Sequence, residues 1–68
     1  MDVRQLRYFS EIVAAKSFTR AADRVRVAQP ALGLQIRKLE DALGNPLFER
    51  RGRSLHLTEI GRMVLDHA

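Results

Sequence analysis

The sequence predicts a small, mainly α-helical domain that contains one short β-hairpin. Three stretches of the chain carry apolar residues at helical spacing and are separated by short breaks. After the third stretch, the apolar pattern changes to alternation around a tip rich in arginine and glycine, which predicts two short strands. A fourth stretch with helical spacing follows the predicted hairpin.

The first two helices are predicted over residues 3–15 and from Ser17 onward. Asp2 and Ser17 are suitable N-caps because their side-chain oxygens can accept hydrogen bonds from the free amides of a first turn. The first helix has its apolar stripe at Val3, Leu6, Phe9, Ile12 and Val13. The second, shorter helix has its stripe at Phe18, Ala21, Ala22 and Val25. Alanine at two positions of that stripe allows another helix to cross closely.

The third helix is predicted over residues 29–43. Pro30 fits its first turn, where the missing amide hydrogen costs nothing. Gly44 is a suitable left-handed stop, and Pro46 prevents the helix from resuming. The predicted core stripe consists of Leu32, Ile36, Leu39 and Leu43. At about 100° per residue, a second set of side chains points away from this stripe. That set is Pro30, Gly33, Leu34, Arg37 and Asp41.

The β-hairpin is predicted from Leu47-Phe48 and Leu55-His56-Leu57, which flank the polar segment 50–54. This segment contains three arginines around one glycine: Arg50, Arg51, Gly52 and Arg53. Thr58 is the expected cap of a last helix, whose apolar residues include Ile60, Met63, Val64 and Leu65. A three-helix core followed by a short hairpin, or wing, is a winged helix-turn-helix.

Composition limits what such a domain can do. The 68 residues contain no cysteine, which excludes disulfides and cysteine-based zinc sites as sources of stability. Twelve lysines and arginines against eight acids give a net charge of +4. Ten of the twelve cations are arginine, which suits bidentate contacts to phosphate and guanine. This balance favours a nucleic acid as the partner.

Several other function classes are not expected. The sequence has no cysteine nucleophile, no recognisable Ser/His/Asp motif and no phosphate-binding glycine loop, so we expect neither an enzyme nor a cofactor. His56 and His67 lack a second ligand at useful spacing, so we expect no metal. No signal peptide and no run of roughly 20 apolar residues is visible, which predicts a cytoplasmic protein without a membrane partner.

The predicted helix pair is suited to the major groove of DNA. Two helices joined by a tight turn place the second helix in that groove, where its N-terminal residues reach the base edges. Those positions here are Ala28, Gln29, Pro30, Gly33 and Leu34. Gln29 can pair bidentately with adenine, and Pro30 and Leu34 can contact thymine methyl groups. The Thr19 hydroxyl and Arg37 are suited to phosphate.

The arginines of the wing favour a contact with the minor groove, because arginine binds well where that groove is narrow. Spacing alone leaves a second class open, since a winged-helix fold can also bind protein without binding nucleic acid. A steep salt dependence of binding to duplex DNA separates these two classes.

Segments along the whole chain resemble the N-terminal DNA-binding domain of the LysR-type bacterial transcription regulators. They are Ser17-Phe18-Thr19-Arg20-Ala21-Ala22, Ala28-Gln29-Pro30-Ala31-Leu32, Ile36-Arg37-Lys38-Leu39-Glu40, Leu43-Gly44, Pro46-Leu47-Phe48-Glu49-Arg50, and Leu57-Thr58 before Gly61. The resemblance implies a winged domain over residues 1–57 and the start of a linker and dimerisation helix over 58–68. It also implies a homodimer on a pseudo-palindromic operator, with a tetramer as a further option for the full-length protein. An effector-binding domain would lie C-terminal to this chain.

The same resemblance assigns roles to individual residues. Gln29, Pro30 and Gly33 would face bases, Thr19 and Arg37 would contact the DNA backbone, and Arg53 in the wing would reach the minor groove. The sequence departs from the family pattern at three positions. Ala28 replaces the usual capping serine, Gly33 replaces a serine or threonine, and Ile60 replaces a common alanine. The first two departures leave the sequence preference open.

Overall fold

The computed structural model describes residues 2–67, which form four helices and one two-stranded antiparallel sheet. The elements in chain order are α1 (Val3–Ala15), α2 (Phe18–Val25), α3 (Gln29–Leu43), β1 (Phe48–Arg51), β2 (Ser54–Leu57) and α4 (Glu59–His67). The predicted mainly α winged helix-turn-helix is therefore confirmed, as are the bounds of the first and third helices.

The helix ends explain why the breaks between the first three helices are so short. Asp2 and Gln5 form a capping box at the start of α1, and the Ser17 hydroxyl accepts a hydrogen bond from the Arg20 amide at 3.1 Å. Lys16 and Arg26 end α1 and α2 in the left-handed conformation, with φ of 56° and 59°. A single left-handed residue turns the chain at once into the next helix.

The core lies where α1, α2 and α3 meet. Its buried residues are Phe9, Ile12, Ala21, Ala22, Leu32, Ile36, Leu39 and Leu47. Leu43 is only partly buried against this core. Val3 is 83% exposed because the first turn of α1 extends beyond the core. Gln5 is buried instead, and its Nε2 donates to Gln35 Oε1 of α3 at 3.2 Å.

The hairpin is longer than predicted. β1 and β2 pair from Phe48 opposite Leu57 to Arg51 opposite Ser54. The turn therefore has only two residues, and Gly52 takes a positive φ of 61° at its first position, as tight hairpin turns prefer. The prediction that Arg50 and Arg51 belong to the tip is wrong, because the strand ladder continues through both residues.

Three phenyl rings attach the hairpin to the helices. The ring of Phe48 in β1 lies 5.3 Å from that of Phe9 in α1 and 5.6 Å from that of Phe18 in α2, measured between centroids. These separations fall in the range of favourable tilted and edge-to-face pairs. Phe9 is fully buried, whereas Phe18 and Phe48 are half-buried. The wing is thus packed against α1 and α2.

Hydrogen bonds join α4 to the segment that precedes the hairpin. The Thr58 amide donates to the Leu47 carbonyl at 3.0 Å, and the Thr58 hydroxyl donates to the Pro46 carbonyl at 2.7 Å. The same hydroxyl oxygen accepts from the Gly61 amide at 3.0 Å, which confirms Thr58 as the cap. None of the helices within residues 2–67 is long and apolar enough to cross a membrane.

Candidate nucleic-acid interface

The outer side of α3 presents the side chains predicted to lie there. Leu32, Ile36 and Leu39 face the core, so the residues on the opposite side point outward. We call the following set the α3 face: Ala28, Gln29, Pro30, Gly33, Leu34 and Arg37. All of them are exposed except Gly33, which is half-buried. Leu34 is 53% exposed, which gives the face an apolar centre.

The first turn of α3 has free backbone donors. Ala28 is the N-cap residue, and its side chain makes no capping hydrogen bond. Pro30 stands at the start of the helix and has no amide hydrogen to satisfy. The remaining first-turn amides, with the positive end of the helix dipole, can therefore bind an anion such as phosphate. The alanine that replaces a capping serine leaves this end of the helix uncapped.

Thr19 and Gln29 are in direct contact across the turn between α2 and α3. The Thr19 hydroxyl donates to Gln29 Oε1 at 2.9 Å, and both residues are exposed. A hydroxyl has one proton to donate. In the structure that proton goes to Gln29 Oε1, and not to a phosphate as predicted from the sequence.

The strand pleat separates the arginines of the wing. Arg50 and Arg51 are neighbours in β1, so their side chains leave opposite faces of the hairpin. Arg51 shares its face with Glu49, and its Nη2 lies 2.9 Å from Glu49 Oε1. Arg50 and Arg53 instead line a cleft with Thr19 and Gln29. The structure thus brings two of the three predicted arginines to the helix pair and directs Arg51 away.

This cleft contains one cation that was not predicted from the sequence. Lys16 lines it next to Ser17, at the point where α1 ends and α2 begins. The position of Lys16 immediately before the cap of α2 could have indicated a role in binding an anion. A cation at that position lies beside the first-turn amides of the helix, which themselves bind anions. Lys16, Arg50 and Arg53 make the cleft strongly basic.

A second, larger groove runs between α3 and the hairpin. Pro30, Gly33, Leu34 and Arg37 line it from the helix, and Phe48, Arg50 and Leu55 are among the residues that line it from the wing. The lining of the groove combines apolar side chains with Arg37 and Arg50. Gly33 leaves open space in this groove, because no heavy atom outside its own stretch of helix lies within 4 Å of the place where a Cβ would stand.

The basic residues around these two grooves are not neutralised within the chain. Within residues 2–67 the ion pairs are Arg24 with Glu11 and Arg51 with Glu49. Arg37, Arg50 and Arg53 have no carboxylate partner in this part of the chain. Two carboxylates also line the larger groove: Glu40, whose Oε2 accepts a hydrogen bond from the Leu47 amide at 2.7 Å, and Glu49, which is paired with Arg51. Four cations line the two grooves, namely Lys16, Arg37, Arg50 and Arg53, so the surface formed by α3 and the wing is positive.

Comparison with known sequences gives a consistent family. Residues 3–62 match the bacterial regulatory helix-turn-helix proteins of the lysR family. The chain is 44% identical over 68 residues to the RuBisCO operon transcriptional regulator of Allochromatium vinosum, which covers all of this chain and 22% of that regulator. The chain thus spans about a fifth of that regulator's length.

Solved structures give the same result. A transcriptional regulator of the LysR family from Eggerthella lenta superposes with a TM-score of 0.94 at 33% identity, over 98% of this chain and 96% of that one. The BenM DBD in complex with catB site 1 DNA superposes with a TM-score of 0.92 at 43% identity, over 98% of this chain and 75% of that one. The winged helix-turn-helix fold is shared over nearly the full length of the chain.

Proposed function

This chain belongs to the lysR family of bacterial regulatory helix-turn-helix proteins, and on that premise we propose that it binds double-stranded DNA sequence-specifically as the N-terminal domain of a transcription regulator. One observation carries the proposal. The exposed α3 face, which includes the N-terminus of α3, lies on one positive surface with Arg50 and Arg53. Neither arginine has a carboxylate partner within residues 2–67. Such a surface suits a helix in the major groove and a wing on the adjacent minor groove.

Base reading is assigned to the first turns of α3. Gln29 carries both a donor and an acceptor, which match N7 and N6 of adenine. Pro30 and Leu34 are exposed apolar groups that can contact thymine methyl groups. Gly33 leaves room beside them for a close approach of the DNA. The preferred sequence is therefore set by one amide and by apolar contacts.

Backbone contacts are assigned to the cations and to free amides. Arg37 stands one to two turns beyond Gln29 on the α3 face, where it suits a phosphate. The uncapped amides that follow Ala28 suit a second phosphate. Arg53 at the tip of the wing would enter the minor groove, with Arg50 beside the groove wall. Arg51 contributes less, because Glu49 holds its guanidinium.

The remaining assignments concern the whole protein. We assign it a homodimer that is formed through α4, whose Met63 is 53% exposed next to the half-buried Ile60, Val64 and Leu65. A symmetric dimer places two copies of α3 on a pseudo-palindromic site. A C-terminal effector domain, a tetramer of the full-length protein and a cytoplasmic location follow from the same assignment as a bacterial regulator.

The assembly is tested by sedimentation of the chain at several concentrations. Met63→Asp places a charge on the exposed part of α4 and should shift the chain towards monomer, because an unpaired carboxylate is costly to bury in an interface. Glu59→Asp, on the same helix, serves as the control. A chain that sediments as a monomer at high concentration, both with and without DNA, would contradict the dimer.

The DNA-binding proposal is tested by two substitutions that should act differently. A selection from random duplexes first gives a preferred site. Gln29→Ala should cost about 1–3 kcal/mol on that site and much less on a scrambled duplex. Arg37→Ala should weaken binding to both duplexes alike and reduce the log–log salt slope by about one phosphate per subunit.

The outcomes of these titrations separate the alternatives. A loss of affinity that is equal on both duplexes for Gln29→Ala would mean that Gln29 does not read bases. Weak binding of the unsubstituted chain to every duplex, without a steep salt dependence, would instead favour the protein-binding module considered above.

A further inference from the structure

We propose that Thr19 is a positioning residue, which fixes the orientation of the Gln29 amide and so sharpens the choice of adenine over guanine. This inference rests on the proposed function, since it concerns how Gln29 reads a base. It differs from the role predicted from the sequence, in which Thr19 itself contacts the DNA backbone.

The side chains of Thr19 and Gln29 are in direct contact. The Thr19 hydroxyl donates to Gln29 Oε1 at 2.9 Å, although the residues are ten positions apart and belong to different helices. Both side chains are exposed, and this is the one hydrogen bond that the Gln29 side chain makes within residues 2–67. The terminal torsion of glutamine is broad when nothing holds it. The amide plane therefore depends on Thr19.

The donor, the Thr19 hydroxyl, is held in place by α2. Thr19 lies in the first turn of α2, which is held by the Ser17 cap on the Arg20 amide at 3.1 Å. Its β-branched side chain has few rotamers in a helix. Gln29 is the first residue of α3, and α2 and α3 are in contact. The hydroxyl is therefore a fixed donor that holds the Gln29 oxygen in one place.

The Gln29 amide keeps hydrogen-bonding groups that are free to contact a base. With one lone pair of Oε1 bound to Thr19, the amide still offers the second lone pair and both hydrogens of Nε2. Adenine needs one donor for N7 and one acceptor for N6, which this arrangement supplies. Guanine presents two acceptors, N7 and O6. A freely turning amide can direct both of its hydrogens at guanine. An amide whose oxygen is fixed by Thr19 would, in the pose that pairs with adenine, meet guanine O6 with a second acceptor.

Because Thr19 has one hydroxyl proton, it cannot donate to Gln29 and to a phosphate at the same time. The two roles therefore predict different consequences of removing the hydroxyl. A phosphate contact would contribute equally on every duplex. A positioning contact would contribute only where Gln29 meets a base, and only while Gln29 is present.

The experiment is a double-mutant cycle with the 68-residue chain. Thr19→Val removes the hydroxyl and keeps the shape, Thr19→Ser keeps the hydroxyl, and both are combined with Gln29→Ala. Affinities are measured on the preferred duplex and on one in which the A·T pair that depends on Gln29 is changed to G·C. Circular dichroism checks that each variant is folded.

We expect Thr19→Val to reduce the discrimination between these duplexes by about 2- to 10-fold, the range of one hydrogen bond. Thr19→Ser should retain the discrimination, and Thr19→Val should add nothing when Gln29 is already alanine. The inference is overturned if Thr19→Val lowers affinity by the same factor on both duplexes and in both backgrounds. It is also overturned if discrimination survives in Thr19→Val. Gln29→Ala alone reports on the proposed function, so the two failures are distinguishable.

Discussion

Two glycines lie inside helices of this domain, and their surroundings are opposite. A Cβ on Gly61 of α4 would overlap the Leu47 carbonyl oxygen and lie 2.9 Å from Leu57 Cδ2. A Cβ on Gly33 of α3 would meet no heavy atom within 4 Å. Neither glycine has a positive φ, so backbone conformation requires neither of them. Gly61 is required by its packing against Leu47, whereas no contact within residues 2–67 requires Gly33.

The region around Gly61 cannot easily relax. The Leu47 amide donates to Glu40 Oε2 at 2.7 Å, and the Leu47 carbonyl accepts from the Thr58 amide at 3.0 Å. The carbonyl that a side chain at position 61 would strike is therefore fixed from both sides. We call this set of contacts the Leu47 junction. It joins α3, the hairpin and α4 at the place where the chain leaves the winged core.

The α3 face around Gly33 has the opposite character. Its neighbours Pro30, Leu34 and Arg37 are exposed, and the Arg37 guanidinium makes no ion pair within residues 2–67. Glycine in a helix interior costs about 1 kcal/mol relative to alanine. The comparison teaches that substitutions at the Leu47 junction should change folding, whereas substitutions on the α3 face and the wing should change DNA binding. Four predictions test this division.

The largest expected effect is that of Gly61→Ala. The added methyl group must displace the Leu47 carbonyl, which accepts from the Thr58 amide while the Leu47 amide is bound to Glu40, so we expect a loss of about 3 kcal/mol in the free energy of unfolding. Urea denaturation followed by circular dichroism measures this change. The matched control is Gly33→Ala, the same substitution at the open site. A loss below about 1 kcal/mol would show that α4 can shift away from Leu47.

The next largest effect is expected for Glu40→Ala. This change leaves the Leu47 amide without its charged acceptor and should cost about 2 kcal/mol of stability. Asp41→Ala is the control, since Asp41 is the adjacent, exposed acid and its side chain has no hydrogen bond within residues 2–67. Equal losses in the two variants would mean that general charge on α3, and not the bond to Leu47, determines the effect.

A smaller effect, confined to binding, is expected for Arg53→Ala. The unpaired guanidinium at the wing tip should contribute about 1.5 kcal/mol to DNA binding and none to folding. The preference for A·T-rich flanks, where the minor groove is narrow, should also weaken. Arg51→Ala is the control, because Arg51 is paired with Glu49 on the other face of the hairpin. Titration of duplexes that differ only in their flanks measures both quantities, and equal losses for the two arginines would remove the distinction.

The sequence predicted the helices and the α3 face better than the contacts between elements, such as the Leu47 junction. Local features of the sequence determine the helices: the period of the apolar residues, the cap at Thr58 and the stop at Gly44. The structure shows both the cap and the stop. The α3 face followed from the same helical period, because positions opposite the core stripe must point outward. Local pattern is sufficient wherever a single helix decides which way a side chain points.

Features that need two elements at once could not be predicted in this way. The separation of Arg50 from Arg51 depends on the hairpin register, which the two-residue turn at Gly52 sets. The contact of Thr19 with Gln29 depends on how α2 and α3 pack, and the need for glycine at position 61 depends on where the Leu47 carbonyl lies. Spacing in one sequence does not contain these distances.

The smallest expected effect is that of Gly33→Ala, and its sign is opposite to that at Gly61. The methyl group enters open space, so we expect the free energy of unfolding to rise by about 1 kcal/mol through helix propensity alone. If DNA approaches α3 closely at this point, the same methyl group should lower affinity for the preferred duplex while stability rises. Denaturation of Gly33→Ala measures the change in stability, and titration with DNA measures the change in affinity. Ala31→Gly, the reverse substitution at an exposed position of the same helix, is the control. A loss of stability in Gly33→Ala would show that the chain itself uses this glycine, and the contrast with Gly61 would fail. A gain of stability with unchanged affinity would keep the contrast but remove Gly33 from the contact with DNA.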